Sequence, residues 1–197
     1  REAEAPAVNP NGDFHVQTWP LPAEAGSMSP DLTVAPDGRL LLSWINRQQG
    51  RRNALQFSTY TDEGGWQSQP RTIAVGRSLV ANWADTPHLL ATPDGALWSQ
   101  WLQGNPSSPS GYDTVLARSR DGGMTWAQST RVTTEGTDRH SGFAALWPRT
   151  LNSLGNAWLD GRGQPSRHGA HEGSGAMPLR ANGEELAPAR GGDTVCA

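Results

Sequence analysis

The chain has 197 residues, 35% of them hydrophobic and nine of them tryptophan, enough for a sizeable core within one domain's length. A net charge of −3 excludes a basic nucleic-acid footprint, and no run approaches the roughly 20 apolar residues of a membrane-spanning helix. With 23 Gly and 15 Pro the composition suits many short strands and leaves little room for long helices.

In chain order, Arg1 to Ala5 reads as the Glu-Ala remnant of a secretion leader and is set apart from the fold, so a secreted or periplasmic location is expected. Residues 6–30 form a lead-in. From residue 31 the sequence predicts an all-β chain of about three β-propeller blades, each of four antiparallel strands, over 31–80, 81–135 and 136–188, with 189–197 as a tail. In the first blade the strands are DLTVA (31–35), RLLLSWI (39–45), ALQFSTY (54–60) and WQSQP (66–70). In the second they are HLLAT (88–92), ALWSQWL (96–102), DTVLARS (113–119) and TWAQSTRV (125–132). The third is weaker, with FAALWP (143–148), LGNAWLD (154–160), AMPLR (176–180) and EELAP (184–188).

Two features share one period. Trp44, Trp101 and Trp158 stand 57 residues apart, and so do the Pro-Asp-Gly turns at 36–38 and 93–95. Pro presets φ at the second turn position and Gly accepts the positive φ that follows. Three blades are fewer than the roughly four to eight that close a ring. The expectation is a partial propeller lacking C-terminal blades, or a homo-oligomer in which two chains make a six-bladed ring. Cys196 is the only cysteine, so the chain makes no internal disulfide.

Ser119-Arg120-Asp121-Gly122-Gly123-Met124-Thr125-Trp126 matches every fixed position of the Asp-box, Ser-x-Asp-x-Gly-x-Thr-Trp, and Thr61 to Trp66 is a degenerate copy. On this motif, with Asn82-Trp83-Ala84-Asp85 and Trp158-Leu159-Asp160-Gly161-Arg162, the chain resembles the sialidase-like, Asp-box (BNR repeat) propeller superfamily and its bacterial exported members. The resemblance implies a propeller that acts on or binds glycans. Within the motif, Ser119, Asp121, Gly123, Thr125 and Trp126 read as a fold device: the Asp accepts turn N–H groups, Gly supplies positive φ, and Trp packs between sheets.

Strand direction alternates, so the Pro-Asp-Gly and Asp-box turns share one face and the longer loops share the other. That loop face holds the candidate chemistry. For glycoside hydrolysis, Asp85 and Asp160 are the candidate catalytic carboxylates, with Arg139, Arg162, Trp83 and Tyr112 as substrate-binding residues. A sialidase would also carry an Arg-Ile-Pro motif, and the chain offers only Arg71-Thr72-Ile73. For a divalent metal, His88 and His140 are the candidate ligands, whereas His168 and His171 read as solvated loop residues. Trp83 and Trp147 are of a kind that stacks on sugar rings, but their place beside strands favours filling the space between blades. Asp160 and Arg162 read equally as an ion pair or as part of an anion site. No cofactor other than a metal is implied. The alternative to a glycan-acting propeller is a noncatalytic or metal-binding assembly module.

Overall fold

The computed structural model describes residues 18–48, 52–106, 111–132 and 142–159, together with the strand backbones of 179–181 and 184–185. Three antiparallel sheets follow one another along the chain. The first contains β1 (Met28–Val34), β2 (Leu40–Gln48), β3 (Arg52–Thr61), β4 (Gly65–Trp66) and β5 (Arg71–Gly76). The second runs β6 (His88–Ala91), β7 (Leu97–Gly104), β8 (Tyr112–Ser119) and β9 (Thr130–Arg131). The third runs β10 (Gly142–Pro148), β11 (Leu154–Leu159), β12 (Leu179–Ala181) and β13 (Glu184–Glu185).

The 57-residue period is a register. Asp31 pairs with Ser43, His88 with Gln100, and Ala145 with Ala157, so each sheet repeats the same ladder position. β2 and β7 are buried along most of their length, Ser43, Ser99 and Gln100 included, because both of their faces are covered. Leu41 and Ile45 of β2 join Leu55 and Phe57 of β3 in one core with Leu89, Leu97, Trp101 and Val115 of the second sheet. The alternate residue Trp44 is equally buried on the opposite face, as are Trp101 and Trp158 at the repeated position. The first strands lie innermost, β1 against β6 and β6 against β10, which is the arrangement of propeller blades around a common axis.

The Pro-Asp-Gly turns close as their chemistry demands. Gly38 and Gly95 have φ of 86° and 82°, and each donates its N–H back to the residue before the proline, Ala35 and Thr92.

The outer strands depart from expectation. In the first sheet the edge along β3 is made of two pieces, β4 and β5, where one strand over 66–70 is predicted. Gln67 to Pro70 separates them, and Pro70 has no N–H to give to a ladder. In the second sheet the predicted strand over 125–132 shrinks to Thr130–Arg131, because Thr125 and Trp126 are held in the turn. In the third sheet the described parts of the outer strands are Leu179–Ala181 and Glu184–Glu185, within or beside the predicted 176–180 and 184–188.

Candidate functional site

The first strands of the first and third sheets begin alike. Between Met28 and Asp31, and between Gly142 and Ala145, the ladder is broken by a bulge. The residue inside each, Ser29 and Phe143, has positive φ, 53° and 52°. No other non-glycine residue among those described does so. A side-chain-bearing residue held there costs about 1–2 kcal/mol, so the surrounding contacts must hold it.

Those contacts are polar and run between blades. Ser29 donates its hydroxyl to the Asn82 carbonyl at 3.1 Å, and Phe143 donates its N–H to Asp85 Oδ2 at 2.8 Å. Asp31 accepts the Leu89 N–H at 3.0 Å through one oxygen and faces His88 Nδ1 at 3.4 Å through the other. Thr33 adds a bond from its hydroxyl to the Leu89 carbonyl at 2.7 Å. The period explains the meeting: Met28, Asp85 and Gly142 share one repeat position, as do Asp31, His88 and Ala145, so the starts of β1, β6 and β10 converge on one place.

Gly142 makes that convergence sterically feasible. A Cβ there would lie 2.0 Å from Asp85 Oδ2 and 3.3 Å from Tyr112 Cε2, so the third sheet's backbone, Asp85 and the Tyr112 ring occupy one tight space. Just before Asp85, the Asn82 side-chain oxygen accepts the N–H groups of Ala84 and Asp85 at 2.8 and 2.6 Å. This Asx turn lifts Trp83 into solvent, 93% exposed.

The electrostatics follow from burial and pairing. Burial pushes the Asp85 carboxyl above its usual range, against the opposing pull of the Phe143 N–H and of His88. The His88 imidazole is pushed up by its hydrogen bond to Asp31, with burial working the other way and the charges of Asp31 and Asp85 adding to the rise. Tyr112 is pushed up by burial and then by the Asp85 charge, which keeps its phenol protonated at neutral pH. The cluster therefore offers a phenolic donor, an imidazole biased towards its charged form and two carboxylates in different environments, with the exposed Trp83 indole on the adjoining turn.

Of the sequence candidates, Asp85, His88 and Tyr112 come together here, and Trp83 stands on the turn that leads into Asp85. Asp160, Arg139, Arg162 and His140, like His168 and His171, lie outside the described residues. Trp83 corrects an expectation: it does not fill space between blades but stands free of them. Trp147 is half-buried, its ring against Gly155, its ladder partner. Asp31 was missed, since DLTVA reads as a plain strand opening. The available signal was the period, which puts Asp31 at the position of His88. Among the described residues, no three His, Cys, Asp or Glu side chains gather as a metal set.

The turn resembling the Asp-box lies at the opposite end of the strands and is structural. Asp121 accepts the Thr125 N–H and hydroxyl at 2.9 and 2.5 Å and the Ser119 hydroxyl at 2.8 Å, bonds that hold its carboxyl well below the usual range. Trp126 meets Phe57 edge-on at 6.3 Å, and Arg71 donates to the Gly122 carbonyl, so the turn also fastens the second sheet to the first. Nearby, Arg118 pairs with Asp94 at 2.6 Å and lies over the Trp98 ring.

Fold and cluster together define an all-β, propeller-like protein whose axial end carries a polar site. No protein-family model and no curated protein matches the sequence. Among solved structures the chain is similar to the endo-arabinase from Bacteroides thetaiotaomicron, with a TM-score of 0.50 and 14% identity over 79% of this chain. It spans 60% of that protein's length, and the likeness is one of fold.

Proposed function

We propose that the chain is a glycan-binding propeller whose site is the axial cluster of Trp83, Asp85, His88, Asp31 and Tyr112. The observation that carries this reading is Trp83. A large indole 93% exposed on a turn pinned by two hydrogen bonds contributes nothing to the core and leaves its ring faces open to a ligand. Beside polar groups that donate and accept, such a ring gives a sugar its usual reception, with the C–H face on the π system and the hydroxyls on fixed partners. The fold of the endo-arabinase and the Asp-box resemblance both support a carbohydrate ligand. Titration with arabino-, xylo- and sialyl-oligosaccharides, followed at the His88 ring, tests it: saturable shifts are expected in the wild type, and Trp83→Ala is expected to abolish them without altering the melting temperature. Unchanged His88 shifts in that variant would sink the proposal.

A second reading adds hydrolysis, and its specific support is Tyr112 beside Asp85. In the sialidase-like version, Tyr112 Oη attacks the anomeric carbon as the glycosidic bond breaks, its proton passes to Asp85 and on to the leaving oxygen, and water then attacks the anomeric carbon, its hydroxyl going to the sugar and its proton through Asp85 back to Tyr112. Against it stands the burial of Asp85, 3% exposed and already bound to the third blade, which suits a latch as well as a base. Turnover of fluorogenic sialosides and arabinosides by the wild type, lost in Tyr112→Phe, would favour this version. An exported protein meeting polysaccharide outside the cell belongs to the same proposal.

A further inference from the structure

Phe143 stands in the bulge at the start of β10 with φ of 52°, and its side chain is 51% exposed. For a bulky residue that backbone conformation is a genuine outlier, because Cβ crowds the carbonyl that follows. Glycine or asparagine would take it with less strain. Other apolar side chains of the described residues reach the surface, but none of them is held at positive φ.

The fold does not require a phenylalanine there. The same bulge opens β1, two periods earlier, and its residue is Ser29, 9% exposed, with the hydroxyl on the Asn82 carbonyl. Nor does the core require it, since the ring lies outside the cluster that joins the first two sheets. A bulge re-aims one side chain of a strand, and strain of this kind collects at functional sites. What holds the residue is Asp85, whose Oδ2 receives the Phe143 N–H at 2.8 Å. Asp85 also ends the turn that carries Trp83, its own N–H given to the Asn82 side chain at 2.6 Å. Two residues of chain reach at most about 7 Å, so Asp85 ties together the backbones that carry both exposed aromatics, one from the second blade and one from the third.

We infer that Phe143 is a second stacking residue of the axial site, and that the ligand is an oligosaccharide long enough to lie on Phe143 and Trp83 at once. This role rests on the glycan reading of Trp83 and adds a length requirement to it. A single sugar unit meets one ring. A chain of units meets both, each contact placing the C–H face of a sugar on a π system.

The test is titration of the full chain, followed at the His88 ring, with arabinose against arabinotetraose, xylose against xylotetraose, and sialic acid against sialyllactose. In the wild type a longer saccharide is expected to bind about tenfold tighter than its single unit, the scale of one aromatic contact. Phe143→Asn keeps the backbone bond to Asp85, and asparagine accepts the left-handed conformation. It is expected to erase the gain from length, to leave the single unit's affinity unchanged, and to hold or raise the melting temperature. A ring that served packing alone would lower that temperature on removal. Phe143→Gly gives the same comparison if the asparagine variant folds poorly. Equal affinity for long and short saccharides in the wild type overturns the inference, as does full long-chain affinity in Phe143→Asn or a fall in its melting temperature. Binding lost in Trp83→Ala yet untouched in Phe143→Asn overturns it and leaves the glycan reading in place, whereas absence of binding by every saccharide in the wild type overturns both.

Discussion

Replacing Asp31 by Asn tests whether the first two blades are fastened at the axis by an ion pair. The exchange keeps the shape and an oxygen able to accept the Leu89 N–H, and removes the charge facing His88 Nδ1 at 3.4 Å. The side chains of His88 and Asp31 are 32% and 17% exposed, so the pair lies between a surface contact and a buried one. A charge-assisted hydrogen bond is worth about 1.5–3 kcal/mol, and partial solvation favours the lower end, about 1.5 kcal/mol. Because the folded His88 holds its proton more tightly than the unfolded one, its contribution is complete below pH 6.5 and is lost as pH rises through the folded value. Melting curves at pH 5.5 and 8.5 should therefore differ more for the wild type than for Asp31→Asn, by roughly 3–6 °C in a chain of this size. An NMR titration of the His88 ring gives the direct readout. Its pKa should lie above 6.5 in the wild type and fall in the variant, where the opposing effect of burial loses its main counterweight. A wild-type value at or below 6.5, or an unchanged value in Asp31→Asn, would refute the reasoning.

Three further outcomes follow from the geometry. Gly142→Ala drives a methyl into Asp85 Oδ2 at 2.0 Å, so it should break the Phe143 bond and cost about 2–4 kcal/mol in denaturant unfolding, with perturbed Tyr112 fluorescence or ring resonances. Gly123→Ala should cost about as much by a different route, because Gly123 has φ of 87° and its Cβ would lie 2.4 Å from Phe57 Cζ. Removing the Asp121 carboxylate with Asp121→Ala should flatten the acid limb of the stability curve. A depressed carboxyl contributes above its unfolded value of 3.8, and that contribution is lost as pH falls towards the folded value.

How far the sequence foretold the molecule depends on what each feature required. The repeat was legible because Trp44, Trp101 and Trp158 are buried at one ladder position in three sheets, and burial leaves a pattern. The Pro-Asp-Gly turns were legible for a local reason, since turn chemistry is written in adjacent residues. The outer strands were overextended, because an edge strand needs only a short ladder and Pro70, or a turn held by Asp121, ends it early. Trp83 misled because tryptophan beside a strand is usually core, and only the Asn82 turn, which depends on side-chain direction, exposes it. The Asp31–His88 pair was hidden for a deeper reason. Its members are 57 residues apart and ordinary in their own segments, and they meet only because successive blades place the same repeat position on the axis. The loop residues Asp160, Arg139, Arg162 and His140 stay as sequence expectations, since they fall outside the described residues.

The central claim is that the axial ends of the first strands form a glycan site. It is tested most directly by titrating isotope-labelled protein with oligosaccharide and following the Trp83 indole and His88 ring signals by NMR. The account predicts saturable shifts at both, matched to one affinity and absent in Trp83→Ala. Binding that leaves both signals unmoved would contradict it.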